Sequence, residues 1–385
     1  MIMTNQNMAG RVGHVGHCQA VPSGVMSTVS QLVESLKPLT MRAAAWDKVG
    51  LQLGDPGAEV QTVGVCHEVT NEVIGQAADL DFLVTYHPLL FRPTTRLVAG
   101  SSPDGRAFRL LAQGTALYSV HTGWDAYEGG TADSLAASFG LLGVTGFGPL
   151  HEAGLVNVIT YLPADNVEAV RTAMADAGGG VLGSYTNVSF ETPGVGTFVP
   201  GTDAHPFRGE VGELYREPEV RLEMLTPRGR SAAVVAALLK SHPYEEPGID
   251  VHRVVTKYGM VGRVGDLSQG VSLRTLAETA GTALGSDPVR IAGDREQIID
   301  RVAVVPGSGS EFVTEARTEG AQVLISADFS HHNAVGATDA GLAVLDVGHA
   351  RSEGPGMPPL YDWISKLGYP TRDLTGIETS PWKEQ

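Results

Sequence analysis

The stretch TVGVCHEVTNEVIGQAADLDFLVTY, residues 62–86, decides the fold class. Residues 62–70 read as a strand, NEVIGQAADL at 71–80 as a helix and DFLVTY at 81–86 as a second strand, which together spell one β-α-β unit. FLV does not alternate with polar residues. A continuous apolar strand is buried on both faces, the habit of a parallel sheet covered by helices.

The same grammar extends in both directions. Upstream, Val29, Leu32, Val33 and Leu36 recur at helical spacing, and WDKVGLQLGDP at 46–56 reads as a loop in which Trp46 packs and Asp47 caps a turn. Downstream, DGRAFRLLAQ at 104–113 reads as a helix with Phe108, Leu110 and Leu111 inward, and ALYSVHTGWD at 116–125 as a strand running into a loop. Near residue 150 the pattern changes. LVNVITYLP, the helix NVEAVRTAMADAG, VRLEMLTP and the helix SAAVVAALLKSH read as two β-α halves with extra strands, an α+β domain over 151–257. Its glycines at 178–180, 183, 194 and 196 mark turns and tight packing. Alternation then resumes with a helix at 273–284, RVAVV at 301–305, the helix FVTEARTEG, QVLIS at 322–326, a helix around Ala334–Ala340 and AVLDV at 343–347. The economical reading is one discontinuous, doubly wound α/β domain, 26–150 and 258–385, interrupted by the insert.

Length and composition agree with two domains, since 385 residues exceed the ~250–300 at which a single core stops growing. Hydrophobic residues are 42% and charged ones 18%. No apolar run approaches the ~20 residues that span a bilayer, so no membrane partner is expected. The net charge, 27 − 43 = −16, argues against a broad nucleic-acid-binding face, while leaving room for a small cationic pocket. Two cysteines, Cys18 and Cys66, are too few for a disulfide framework and lack zinc-finger spacing, which points to a reducing compartment and hence the cytoplasm. Residues 1–25 contain no apolar core of a secretory signal and read as a disordered tail, with Met26 a candidate start; its His14, His17 and Cys18 are left out of the site.

Ligands of open parallel sheets bind outside the carboxyl ends of the strands, so the residues following each strand matter most. They are metal-ligand types. DFLVTY runs into His87, ALYSV into His121 and Asp125, QVLIS into Asp328, His331 and His332, and AVLDV into Asp346, His349 and Glu353. His349 and Glu353 are spaced i, i+4 and share one face if the segment is helical. Imidazole with carboxylate suits Zn, Fe, Mn or Ni. Any one such histidine is more simply a loop residue bonded to backbone, and only their accumulation at four strand ends raises a ligand set to an equal reading. GSGS at 307–310 reads either as an anion-holding helix start or as a tight turn.

These residues also carry a resemblance. WDKVGLQLGDP, VTYHPLLFRP at 84–93, VHTGWDAYEGG at 120–130, HPYEEPGIDV at 242–251, GRVGDL at 262–267, VPGSGS at 305–310, ISADFSHH at 325–332 and LDVGHARSE at 345–353 stand in the order of the Nif-three-like family. The match runs from Met26 to the C-terminus. Members are dinuclear-metal proteins, often called GTP cyclohydrolase type two homologs, and they resemble toroidal hexamers. The resemblance makes the insert a signal-transducer-like α+β domain. It implies divalent metal ligands at His87, Asp125, His349 and Glu353, one or two ions per chain, with Glu353 the catalytic or bridging carboxylate. This sequence departs from the pattern at Tyr86, where the family has a first histidine, leaving the second ion with His349 and Glu353 unless Tyr86 or His121 helps. The implied activity is metal-dependent hydrolysis of a nucleotide such as GTP, or a related small molecule, with GSGS and Arg92 as candidate phosphate contacts. A regulatory or scaffold protein that binds metal and a small ligand without turnover is the rival reading, and in either case Glu245 and Glu246 of HPYEEP are exposed acids on an ordered turn.

Overall fold

Val63–Cys66, Phe82–Thr85 and Ala116–Ser119 are buried throughout and lie side by side in parallel, as their unbroken apolar character requires. The computed structural model describes residues 27–150, 155–182, 185–254, 259–285 and 288–381. The tail with His14, His17, Cys18 and Met26, and the junction residues 151–154 and 255–258, lie outside them. The chain divides into two units, Met1–Leu150 with Gly259–Gln385, and His151–Tyr258.

The first unit is mixed α/β and, besides a two-stranded pair of Ser27–Thr28 with Glu59–Val60, holds two main sheets rather than one doubly wound sheet. A five-stranded sheet places Thr371–Asp373, Val63–Cys66, Phe82–Thr85 and Ala116–Ser119 in parallel and closes with Gly50–Leu53 antiparallel. That last strand was expected as part of a loop; four residues between glycine-containing turns are too short to show a period. A six-stranded sheet is parallel at its centre, through Ile298–Ser308, Val323–Ala327 and Ala343–Asp346. Its flanks, Arg290–Ala292 on one side and Met260–Ser272 with Leu142–Pro149 on the other, run antiparallel. The apolar faces of both sheets are covered by helices, Leu276 and Ala280 of Leu273–Leu284 packing with Val302 and Ile325, and Leu32 and Leu36 of Val29–Leu36 packing with Phe82 and Val84.

Three further local expectations fail. In the helix Pro103–Gln113 the inward stripe is Ala107 and Leu110, whereas Phe108 and Leu111 are exposed. The segment after Ala116–Ser119 is not a loop but a single helical turn, His121–Asp125, whose Trp124 is buried and bonds the Gly356 carbonyl through Nε1 at 2.9 Å. Trp46, expected to pack, is 54% exposed.

The second unit is a four-stranded antiparallel sheet, ordered Ile249–Arg253, Leu155–Pro163, Tyr215–Pro227, Phe190–Phe198, with helices Val167–Asp176 and Ser231–Ser241. The helices bury Val170, Met174, Val234 and Leu238 against Val158 and Leu222. The edge strand Phe190–Phe198 is almost wholly exposed and carries Pro193 opposite Val220. Among the described residues no helix is long and apolar enough to cross a membrane.

Candidate metal centre

The carboxyl ends of the parallel strands in both sheets of the first unit supply the site. His67 follows Val63–Cys66, His87 lies two residues past Phe82–Thr85, and Asp125 ends the helical turn after Ala116–Ser119. From the other sheet come Asp328, just past Val323–Ala327, and the short helix His349–Glu353 after Ala343–Asp346. That helix delivers His349 and Glu353 from one face, as the i, i+4 spacing implies.

Glu353 is the hub. It is 2% exposed, and its two oxygens serve different partners. Oε2 lies 2.9 Å from His67 Nε2 and 3.1 Å from His87 Nε2. Oε1 lies 2.9 Å from His349 Nε2 and accepts the Tyr86 hydroxyl at 3.4 Å. His67, His87 and Glu353 each offer a ligand atom, all within 4.8 Å of one another, which is the spacing a bound divalent cation needs. Tyr86 bridges Asp125 and Glu353, its hydroxyl donating to Asp125 Oδ1 at 2.7 Å.

Burial alone would favour a neutral Glu353, but the charge of His87 and hydrogen bonds from His349, His67 and His87 hold its carboxyl well below the usual range. His349 is pushed up to about 9 by its hydrogen bond to Glu353 and, against burial, by Asp328, whose Oδ2 accepts from Nδ1 at 2.7 Å. Its two ring nitrogens thus face two carboxylates, Asp328 and Glu353. Burial lifts Asp125 to about 7, against the pull of His121 and of the Tyr86 hydrogen bond. The Tyr86 phenol is pushed well above its usual value by burial and by the Asp125 and Glu353 carboxylates, so it stays protonated.

Two non-glycine residues here take left-handed backbone. His121 and Asp328 have φ of 30° and 59°, a region L-residues enter at a cost, and both sit beside the hub. Gly307 has φ of 64°, and a Cβ there would stand 2.8 Å from Glu353 Oε1, so GSGS serves close approach of the chain to the carboxylate. Its Gly307 amide donates to Ser352 Oγ at 2.8 Å. Asp47 caps Lys48 at 2.7 Å, and it also binds His121 Nδ1 at 2.8 Å and the Thr122 amide at 3.1 Å, tying the WDKVG loop to the helical turn that carries Asp125.

A cavity of about 850 Å³ opens over the centre, lined by His67, His87, His121, Asp328 and His349, with Arg106 and Arg351 as its cationic groups. Arg92, a candidate phosphate contact, is exposed and does not line it. His331 and His332 are exposed at the start of the helix His331–Asp339. Asp346 is occupied by Arg290, the Phe329 amide and the Gly348 amide. In the second unit the HPYEEP turn is held by its own bonds: Tyr244 N donates to His242 Nδ1 at 3.1 Å, and Tyr244 Oη donates to Glu219 at 2.7 Å.

Sequence reasoning missed His67. Reading the strand through to residue 70 buried this histidine in the strand's interior, whereas the strand stops at Cys66 and His67 is the first residue beyond it. The rule that found His87 applies to it unchanged once that boundary is placed.

Comparison with known proteins agrees with this architecture. The family description Duf34/NIF3 (NGG1p interacting factor 3) matches residues 25–376. A Bacillus subtilis protein named GTP cyclohydrolase 1 type 2 homolog is 35% identical over 327 residues, covering 83% of this chain and 87% of its own. A Mycobacterium leprae protein of the same name is 36% identical over 356 residues, 88% and 90% of the two chains. The crystal structure of a Bacillus cereus protein related to NIF3 superposes with a TM-score of 0.61 at 27% identity, over 94% of this chain and 100% of that one.

Proposed function

The chain belongs to the Duf34/NIF3 family, and from that premise we propose that it is a metal-dependent hydrolase acting on a nucleotide or related small molecule. The observation that carries the reading is the buried Glu353 carboxylate, ringed by the imidazoles of His67, His87 and His349, which line a cavity large enough for a nucleotide-sized ligand. Zn, Fe, Mn or Ni would be held by histidine nitrogens and carboxylate oxygens here, with His87, Asp125, His349 and Glu353 as the ligands the family resemblance implies. A metal bound there supplies Lewis acidity and brings the pKa of a bound water toward neutrality.

The chain's own residues contribute proton control and orientation. Tyr86 carries one proton between two carboxylates, Asp125 and Glu353. Asp328 fixes the His349 ring through Nδ1, and Thr379 Oγ1 does the same for His67 at 2.8 Å. Arg106 and Arg351 line the cavity together with the acidic Glu68, Asp328 and Glu378, and GTP is the substrate that the relatives' names suggest. The finer family features, a signal-transducer-like insert, a homohexamer and a cytoplasmic location, belong to the same proposal.

The test is turnover. Chelator-stripped protein reloaded with Zn, Mn, Fe or Ni should hydrolyse GTP or a model phosphoester, and Glu353→Gln should abolish it. No turnover with any of the metals would leave a protein that binds without catalysing.

A further inference from the structure

We infer that this chain holds one divalent cation tightly rather than two, on His67, His87 and Glu353 Oε2, with His67 restoring from a neighbouring strand the imidazole that Tyr86 does not supply. The inference rests on the metal reading above and deepens it.

Strands Val63–Cys66 and Phe82–Thr85 are parallel neighbours with Cys66 opposite Thr85, so the next residues, His67 and Tyr86, stand at the same level of the sheet. The ladder continues past them, the Tyr86 amide donating to the Cys66 carbonyl at 3.0 Å and the His87 amide to the His67 carbonyl at 2.9 Å. An imidazole has thus moved sideways by one strand without changing height. Its ring centre lies 4.9 Å from that of His87 and 5.4 Å from that of Tyr86, and its Nε2 meets the same Glu353 oxygen as His87. Two histidines and one glutamate are the three protein ligands of a catalytic zinc site, which keeps a further position open. On its outer side His67 is braced by Thr379, the kind of support that sets a ligating histidine's tautomer.

The other side of Glu353 is poorer. Oε1 faces His349 and the Tyr86 hydroxyl, and the Asp125 oxygen that would complete a second set is taken by that hydroxyl at 2.7 Å. A neutral phenol is a weak ligand compared with imidazole at pH 7. Moving the histidine across one strand therefore enriches one position and leaves the other with His349 and half of Glu353.

The experiment is Mn(II) and Zn(II) titration of chelator-stripped full-length protein, read by elemental analysis after desalting and by EPR of the manganese form. Wild type should retain one ion per chain, with the six-line signal of isolated Mn(II). His67→Gln should weaken binding by at least tenfold. Tyr86→His should raise retention toward two ions and introduce an exchange-coupled signal, while the double variant H67Q/Y86H should recover the affinity lost by H67Q. Two equally tight ions in wild type, or wild-type affinity in a folded H67Q, would overturn the inference; if H67Q does not fold, the wild-type stoichiometry and Tyr86→His still decide it. These readouts register bound metal and not turnover, so a one-ion protein without activity would sink the hydrolase reading and leave this one standing.

Discussion

Glu353 shows why one side chain can matter more than its neighbours. Each histidine of the set is a neutral ligand, whereas Glu353 brings its negative charge, so Glu353→Gln should cost more metal affinity than any single histidine change, above ~100-fold given that supporting residues alone cost 10–100-fold. Equilibrium dialysis checks this ranking. The Asp47–His121 pair gives a pH signature. Burial opposes charge on both, yet their mutual hydrogen bond and attraction win, lowering Asp47 and raising His121. The histidine's contribution to stability is complete below its unfolded pKa of ~6.5 and fades as pH rises through its raised folded value. The aspartate's contribution is present above ~3.9 and fades as pH falls through its lowered value. NMR titration should place His121 above 6.5 in wild type and lower in Asp47→Asn; an unchanged His121 in that variant would remove Asp47 as the cause. At this scale the sequence was readable where side-chain chemistry met a strand end, as at His87, and unreadable where a boundary slipped by a few residues, as at His67.

Elements differ in how far their sequence announces them. The helices were legible from the spacing of their apolar residues, and the structure adds local caps at their starts: Thr70 Oγ1 accepts from the Val73 amide, Ser272 Oγ from Thr275 and Ser330 Oγ from Asn333. The turn His121–Asp125 was not legible, because no local side chain caps it. It is held from outside, by Asp47 on Thr122, by Gly356 on Trp124, and by Gly123 resting against the Leu39–Thr40 backbone. A Cβ at 123 would collide with the Leu39 carbonyl and stand 2.8 Å from Thr40 Cα. Gly123→Ala should therefore cost ~1–3 kcal/mol in urea unfolding and displace Asp125, seen as a changed Tyr86 environment. Wild-type stability in that variant would show the neighbouring backbone yields freely. The short antiparallel strand Gly50–Leu53 escaped reading for a related reason, since its pairing partner, not its own pattern, makes it a strand.

For the whole molecule, the two units carry separate cores, and every residue of the candidate centre lies in the first. A ligand that binds only the native state stabilises the part that binds it, by ~2.7 kcal/mol at a hundredfold excess over Kd. Calorimetry with and without Zn should accordingly move one transition and leave the other in place. A single transition shifting as a whole would mean that the units unfold together. The alternating strands and helices of the first unit were legible from apolar runs, but its division into two sheets was not, because pairing between strands distant in sequence leaves no local mark.

The edge strand Phe190–Phe198 has a consequence for behaviour in concentrated solution. A bare, flat strand edge is a template onto which foreign chains can add, and strands rich in aromatic and β-branched residues are the most prone to it. Here Pro193 sits in the middle of the run, opposite Val220, and a proline has no N–H with which to recruit a newcomer. A proline within an exposed edge is the kind of residue that interrupts such growth, here on an edge that otherwise exposes Phe190 and Val195.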